Sequence, residues 1–226
     1  MVRVKICGIR SVAEARLAER LGADAVGVLV GQVHASADFI EPAEAGRIAR
    51  SVPPFVSTVL VTHVEEVQEL VRLAETVACQ VVQLHSDLGP VALGELRRRL
   101  APRKIIGKVS VEDDTAVARA REIAPFVDAI VLDSRDRAAG RVGGTGHVHD
   151  WSLSARIVAA SSVPIILAGG LTPENVAEAI RVVRPWGVDV NSGVKAADGR
   201  KDEERVRRFI AAVTEPFGAP IDARTG

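Results

Sequence analysis

Residues 127–151, VDAIVLDSRDRAAGRVGGTGHVHDW, are the stretch from which the rest of the sequence can be interpreted. Four apolar residues end abruptly at a carboxylate, Asp133, and a polar loop with a glycine cluster follows. Asp150 and Trp151 then open a predicted helix. A buried strand that delivers an acid to its carboxyl end, followed by a long loop, is typical of the active sites of parallel α/β enzymes.

Short apolar runs alternate with helix-period segments along nearly the whole chain. In residues 11–21, apolar side chains recur at helical spacing after a serine that can cap the helix. Residues 172–175, Thr-Pro-Glu-Asn, have the order expected at another helix start. The predicted strands are residues 2–6, 25–30, 56–61, 80–84, 104–109, 129–132, 164–168 and 187–190. The predicted helices are residues 11–21, 42–50, 64–74, 89–100, 113–124, 151–160, 172–183 and 202–213.

Eight strand–helix units in 226 residues are typical of a closed (β/α)8 TIM barrel, so we predict an α/β fold of that type in a single domain. A doubly wound open sheet is the alternative, because local patterns do not show closure. No linker or shift in composition divides the chain. We expect residues 1–213 to form the barrel and residues 214–226, with their Pro and Gly, to form a loosely held tail.

The composition bounds the class of protein. Apolar residues make up 47% and charged residues 26%, which is ordinary for a soluble globular protein. The formal net charge is zero, so no nucleic acid or membrane partner is expected. Cys7 and Cys79 are too few for a disulfide framework and favour a reducing compartment. Without a signal-like start or an apolar run long enough to span a bilayer, we expect a cytoplasmic protein.

Candidate functional residues stand where predicted strands end, because active sites of barrels lie there. Cys7 directly precedes Gly8, which is compatible with a thiol at the barrel mouth; a buried structural cysteine is the alternative. Asp133 ends an apolar strand, where a carboxylate is costly unless it is used or paired. Pairing with Arg135 or Arg137 is the alternative to a catalytic role.

The last two predicted strands end in glycine-bearing loops, at Gly169-Gly170 and at Ser192-Gly193. Backbone N–H groups crowd an anion only where no Cβ intervenes, and barrel enzymes often bind a phosphate at these loops. We therefore predict a phosphate site here, the alternative being that the glycines only permit tight turns.

Two other patterns argue for neither a metal nor a nucleotide. His147 and His149 lie beside an aspartate in a polar loop that offers no clear further ligand, so we expect no metal. The glycines at residues 143–146 do not form the G-x-G-x-x-G fingerprint, so we expect no dinucleotide cofactor.

Six sequence motifs, in the order in which they occur along the chain, resemble those of one enzyme family. They are KICGI at 5–9, QLH at 83–85, LDS at 132–134, GGTG at 143–146 with Asp150-Trp151, LAGGLTPEN at 167–175 and VDVNSGV at 188–194. Taken together, across about residues 2–213, they resemble the phosphoribosylanthranilate isomerases, the (β/α)8 enzymes of tryptophan biosynthesis.

The resemblance implies an Amadori rearrangement of an N-(5-phosphoribosyl) amine to a 1-amino-1-deoxyribulose 5-phosphate, without cofactor or metal. Asp133 matches the general acid that protonates the ribose ring oxygen, and Cys7 matches the general base that removes the C2 proton. A lowered thiol pKa would favour that role near neutral pH.

The same resemblance assigns the binding residues and the partners. The residues matching the loops that hold the 5-phosphate are Gly144, Gly146, Gly169, Gly170, Ser192 and Gly193. The sugar and aglycone side corresponds to Gln83, His85 and the position of Asp38. The expected partner is a small phosphorylated substrate, and the protein is expected to be a monomer or a homodimer.

The chain departs from the family on the aglycone side. After the second strand the family has S-P-R-x-I/V-x-P, whose Arg pairs with the anthranilate carboxylate, but an ungapped alignment puts Asp38 there. Lys195 and Leu88 each stand where the family has a glutamate. An anion at residue 38 would repel a substrate carboxylate, at a cost of several kcal/mol if buried.

Three hypotheses therefore stay open. The substrate is phosphoribosylanthranilate, or it is a related phosphoribosyl amine whose aglycone lacks the carboxylate, as Asp38 favours. The third hypothesis, a non-catalytic barrel that binds a phosphorylated ligand, does not explain why both Cys7 and Asp133 are present.

Overall fold

The computed structural model describes residues 1–31, 36–133 and 150–214, together with the backbone of residues 135–136 and 141–142. The strands are β1 (Arg3–Ile6), β2 (Ala25–Leu29), β3 (Ser57–Thr62), β4 (Val81–Leu84), β5 (Lys104–Ser110), β6 (Ala129–Asp133), β7 (Arg135–Asp136), β8 (Arg141–Val142), β9 (Ile165–Leu167) and β10 (Gly187–Val190). The α-helices are α1 (Val12–Arg20), α2 (Pro42–Ser51), α3 (Val67–Val77), α4 (Pro90–Leu100), α5 (Thr115–Ile123), α6 (Trp151–Ala160), α7 (Val176–Val183) and α8 (Glu203–Thr214).

Eight parallel strands close into a barrel in the order β1-β2-β3-β4-β5-β6-β9-β10. Closure is made by the pairing of β10 with β1, in which Lys5 lies opposite Asp189. Strands β7 and β8 form a separate antiparallel pair inserted between β6 and α6. The predicted single-domain (β/α)8 barrel is thereby confirmed, and the open-sheet alternative is excluded.

The barrel strands are buried on both faces, which explains their nearly continuous Val, Ile and Leu content. Every residue of β6 is buried, for example. The larger apolar core lies between the strands and the helices, and a smaller one fills the barrel interior. The interior core consists of Cys7, Val59, Val61, Ile106, Ala129, Val131, Ile166 and Ala168.

Polar side chains occupy the carboxyl-terminal part of the same interior. Side chains two positions apart in a strand share a face, so the residue two after interior Ile106 is Lys108, and the residue two after interior Val131 is Asp133. Both are buried. The interior therefore changes from apolar to polar toward the end where the βα loops begin, and the candidate site lies at this end.

The predicted elements all occur, with shifts at some helix ends. Helix α3 begins at Val67 rather than at residue 64, because the Glu66 carboxylate caps the N–H groups of the next residues. Helix α7 begins at Val176, since Thr172 caps a turn that precedes it rather than the helix itself. The β7–β8 pair and two short 3-10 helices, Ala124–Phe126 and Ser192–Val194, were not predicted.

Within the described ranges, no helix has the length and apolar character needed to cross a membrane. The predicted tail cannot be followed, because residues 215–226 lie outside those ranges and α8 ends at Thr214.

Candidate active site

Cys7 lies directly after β1 and is a buried, free thiol in the interior core. Its neighbour on the same face of the strand is Lys5, whose ammonium is also buried and lies 2.7 Å from the Asp189 carboxylate of β10. Gly27 on β2 makes room for both side chains, since a Cβ there would stand 2.8 Å from the Cys7 Sγ and 3.1 Å from the Lys5 Nζ. Asp189, Lys5 and Cys7 thus form a carboxylate–ammonium–thiol row.

The protonation of this row is set by burial and by Lys5. Burial raises the pKa of the Cys7 thiol above its ordinary value, although the charges of Lys5 and Lys201 oppose the rise. Burial also works against a charge on Lys5, but Asp189 and Cys7 outweigh it, so the pKa of Lys5 is raised. The lowered thiol pKa that would favour a base at neutral pH is therefore not present, while Lys5 is a fixed cation beside the thiol.

Asp133 ends β6, separated from β1 by β9 and β10 on one side of the barrel and by β2 to β5 on the other. Its Oδ2 lies 3.6 Å from the His85 Nε2, at the end of β4. His85 continues into a row of rings along the rim, because it contacts His63 edge-on at 4.8 Å between centroids, and His63 contacts Phe39 at 5.7 Å.

Two of the buried side-chain oxygens without a hydrogen-bond partner in the interior are left available for a ligand. The Gln83 Oε1 and the Asp189 Oδ1 have no hydrogen-bond partner among the described residues. A buried acceptor without a donor is unfavourable by about 1–3 kcal/mol. A ligand hydroxyl that donated a hydrogen bond to either oxygen would remove this cost. Gln83 was predicted at the substrate; Asp189 was noted only as part of a strand end.

The two glycine-bearing loops meet after β9 and β10. Gly169 and Gly170 have φ angles of 80° and 68°, which other residues rarely adopt. Gly193 is required for contact between the loops, because a Cβ there would stand 2.0 Å from the Leu171 carbonyl oxygen. Ser192 opens the short 3-10 helix that follows β10. Backbone conformation and packing thus explain why glycine stands at these positions, and the structure does not test their predicted phosphate role.

Asp38, which follows β2, is buried and bonded to Lys195, another position at which the chain departs from the family. The Lys195 Nζ lies 2.6 Å from both Asp38 oxygens, and the Asn191 Nδ2 donates to Oδ2 at 2.9 Å. Burial disfavours the Asp38 charge, but the hydrogen bonds from Lys195 and Asn191 outweigh it and lower the Asp38 pKa. Asp38 is therefore an ion-paired anion and not an isolated one.

Lys201 completes this edge of the site and was not identified from the sequence. Its buried Nζ donates to the backbone oxygen and to the Oδ1 of Asn191, at 3.0 and 2.8 Å. Burial lowers the pKa of Lys201 to about 8, although the nearby charges of Cys7, Asp38 and Glu14 favour the protonated form. No pattern in the sequence points to Lys201, because it lies in a loop among other charged residues.

Lys5 and Lys108 were also missed, although a signal existed. Each is a charged residue within a largely buried strand, at the alternation expected for an interior position. Gly144, Gly146, His147 and His149 lie outside the described residues. Within the described ranges, no three His, Cys, Asp or Glu side chains gather as metal ligands would.

A closed parallel barrel with ionisable and hydrogen-bonding side chains gathered at the carboxyl ends of its strands defines a (β/α)8-barrel enzyme. The particular member of this class follows from comparison with known proteins.

Residues 4–212 match the N-(5'phosphoribosyl)anthranilate (PRA) isomerase family. The chain is 44% identical over 216 residues to N-(5'-phosphoribosyl)anthranilate isomerase 2 of Methanosarcina mazei, with 96% of each chain covered. The crystal structure of phosphoribosyl anthranilate isomerase from Thermotoga maritima superimposes with a TM-score of 0.81 at 39% identity, covering 94% of this chain and 98% of that one. The chain belongs to the PRA isomerase family, and it is an isomerase.

A further solved structure shows a member of this family with a ligand. It is a phosphoribosyl anthranilate isomerase in complex with reduced 1-(o-carboxyphenylamino)-1-deoxyribulose 5-phosphate, with a TM-score of 0.77 at 37% identity and coverage of 94% and 98%.

Proposed function

We propose that this protein catalyses the Amadori rearrangement of N-(5'-phosphoribosyl)anthranilate to 1-(o-carboxyphenylamino)-1-deoxyribulose 5-phosphate, a step of tryptophan biosynthesis. The observation that carries the proposal is the placement of Cys7 and Asp133 at the ends of two separated interior strands of a barrel of this family. An acid and a base so placed can approach a bound sugar from different sides.

The first step opens the ribose ring. The Asp133 carboxyl donates its proton to the ring oxygen while the C1–O bond breaks, and the nitrogen lone pair forms the C1=N bond of a protonated Schiff base. His85, 3.6 Å from Asp133, is close enough to influence the carboxyl group during this transfer.

The second step moves the double bond. The Cys7 thiolate removes the C2 proton, the C–H electron pair forms the C1=C2 bond, and the C=N electrons return to nitrogen, giving an enolamine that tautomerises to the ketone. Because burial raises the pKa of Cys7, the positive charges of Lys5 and Lys201 are what make the thiolate accessible to this chemistry.

Substrate binding uses the remaining groups of the site. The 5-phosphate is assigned to the loops that carry Gly169, Gly170, Ser192 and Gly193, in agreement with the place where barrel enzymes commonly bind phosphate. The ribose hydroxyls are assigned to the unsatisfied Gln83 Oε1 and Asp189 Oδ1. Gly144 and Gly146 retain their predicted phosphate role as part of the proposal.

The alternative substrate, whose aglycone lacks a carboxylate, is no longer favoured by Asp38. That hypothesis rested on an unpaired anion at residue 38, and that anion is neutralised by Lys195. Family membership supports the tryptophan pathway and, with it, a cytoplasmic location.

The proposal is tested by following the fluorescence of freshly made phosphoribosylanthranilate with the purified protein. We expect rapid disappearance of the substrate, and a loss of at least about a hundredfold in turnover for Asp133→Asn and for Cys7→Ala, since general acid–base catalysis contributes that much. Both variants should still bind the reduced product analogue. Unchanged turnover in both variants, or no turnover by folded wild-type protein, would refute the proposal.

A further inference from the structure

The Asp38–Lys195 pair lies over the end of the strand that carries Cys7. Asp38 follows β2 and Lys195 follows β10, and β1 is the strand between them in the closed barrel. Asn191, which bonds Asp38, also covers the turn after Cys7, because a Cβ at Gly8 would stand 2.3 Å from the Asn191 Oδ1. The pair therefore borders the part of the site that faces Cys7.

This edge of the site carries an excess of positive charge. Among the described residues of the cluster, three cations stand against two carboxylates: Arg10, Lys195 and Lys201 against Glu14 and Asp38. Lys195 is the more accessible member of its pair, with 20% of its side chain exposed against 10% for Asp38. An anion that enters the mouth would meet the ammonium group before the carboxylate.

The chemistry of the proposed reaction brings an anion to this edge. Cys7 acts at C2, and the aromatic amine is attached to the adjacent carbon, C1. The carboxylate ortho to the amine is therefore held only a few bonds from the carbon that faces Cys7. The ring has a matching surface, since Phe39, directly after Asp38, starts the row of rings that runs through His63 to His85.

From these observations we infer that Lys195, held in place by Asp38, determines specificity by binding the carboxylate of the aglycone. The inference rests on the proposed function and deepens it. Lys195 supplies a charge-assisted donor from the loop after β10, while the carboxylate of Asp38, bonded at both oxygens, orients the ammonium and does not oppose the substrate. Two of the three departures from the family pattern, Asp38 and Lys195, thus form one functional unit.

The inference is tested with two probes, reduced 1-(o-carboxyphenylamino)-1-deoxyribulose 5-phosphate and its phenylamino counterpart without the carboxyl group. Their dissociation constants are measured by titration calorimetry. We expect the wild type to prefer the carboxylated probe by roughly tenfold or more, as one charge-assisted hydrogen bond provides. In Asp38→Asn/Lys195→Met, which removes both charges together, this preference should vanish while affinity for the phenylamino probe stays within about threefold.

Two further variants sharpen the test. Asp38→Arg/Lys195→Glu exchanges the two charges, so that the cation stands at residue 38 and the anion at residue 195. This variant should keep the preference for the carboxylated probe. Glu203→Gln/Arg207→Met, which removes an exposed pair on α8, should bind both probes as the wild type does. All three double variants are checked for unfolding by circular dichroism.

Three results would overturn the inference. A preference that survives Asp38→Asn/Lys195→Met would show that another cation binds the carboxylate. An equal loss for both probes would show that Lys195 serves the phosphate or only the fold. A wild type that turns over phosphoribosylanthranilate but binds both probes equally would refute this inference alone, whereas a wild type that neither turns over the substrate nor binds either probe would refute the proposed function as well.

Discussion

At the scale of single residues, the chemistry of the site depends on how a buried thiol can lose its proton. Burial raises the pKa of Cys7, and Lys5 is the charge that most opposes this rise. Lys5 is itself held charged by Asp189 at 2.7 Å. The row from Asp189 through Lys5 to Cys7 therefore tunes the base from within the barrel.

Replacing Lys5 by Met should raise the pKa of Cys7 further, because the opposing positive charge is lost and the Asp189 anion remains. The pKa is measured from the pH dependence of alkylation by iodoacetamide, in a Cys79→Ala background that removes the second thiol. Since the thiolate is the reactive form, the rate should rise with pH through the Cys7 pKa, and the midpoint should lie at higher pH in Lys5→Met. The same shift should appear in the pH dependence of kcat/KM, because the thiolate is the form that acts as the base.

A lysine of the opposite end of the barrel provides the control for this experiment. Lys104 begins β5 and forms an exposed pair with Asp128 at 3.1 Å. Lys104→Met should leave the alkylation midpoint unchanged. A midpoint that also stays unchanged in Lys5→Met would show that Lys5 contributes only to stability. Removing one partner of a buried ion pair costs about 3–5 kcal/mol. The free energy of unfolding is therefore measured for both variants.

The same residues show what single positions in a sequence can reveal. Cys7 and Asp133 could be selected in advance because each stands at the end of an apolar strand. Lys5 and Lys108 carried an equivalent signal, since a charge at an interior position of a strand requires a partner. Lys201 carried none, because its burial depends on a loop that folds back onto Asn191.

At the scale of elements, the loops after β9 and β10 are fitted to one another through Gly193. A Cβ there would stand 2.0 Å from the Leu171 backbone oxygen, and backbone cannot move aside as a flexible side chain can. Gly193→Ala should therefore lower the free energy of unfolding by roughly 1–3 kcal/mol, as overpacking does. Because the shift separates the proposed phosphate loops, the affinity for inorganic phosphate should fall as well.

Gly94 is the matched control, since it lies inside α4 and its Cβ would be in ordinary contact with Phe126, at 3.6 Å or more. Gly94→Ala should stabilise the protein by about 0.5–1 kcal/mol through the lower backbone entropy of the unfolded chain. Urea denaturation measures both variants. A Gly193→Ala protein as stable as Gly94→Ala would show that the two loops are not tightly fitted.

Elements were predictable from local pattern, and their ends were predictable only where the capping chemistry was of the usual kind. Helix α3 starts after an uncommon Glu cap and is followed by the cap residue Ala78, a non-glycine residue with a φ of 57°, so the expected span was displaced by three residues. The β7–β8 pair is too short to give a strand pattern. The Asp38–Lys195 pair could not be predicted from local sequence, since its members are 157 residues apart and meet only through barrel closure.

At the scale of the whole molecule, closure produces two faces with different character. The carboxyl ends of the strands carry the polar site. The amino ends surround a cavity of about 360 Å³, lined by residues that include Phe55, Trp186 and Val59. Phe55 is 99% exposed and Trp186 is 52% exposed, which is unusual for large apolar side chains in a chain with so few aromatics.

This amino-terminal face is suited to a two-fold contact with a second copy. A protruding ring and a cavity on one face are self-complementary, because a two-fold rotation puts the ring of each copy against the cavity of the other. Of the two assembly states expected from the sequence, monomer and homodimer, we therefore expect the homodimer. Sedimentation equilibrium should give twice the chain mass of 23.9 kDa for the wild type.

Phe55→Glu should convert the homodimer into a monomer, because a charge would have to be buried in a largely apolar cavity. Val91→Glu is the control, since Val91 is 90% exposed but lies on α4, away from this face. It should sediment as the wild type does. A Phe55→Glu protein that remains dimeric would place the interface elsewhere, and a wild type that is monomeric at every concentration would show that the exposed rings serve no assembly. Because Phe55 belongs to the face opposite the site, kcat of the Phe55→Glu monomer should stay within about threefold of the wild type.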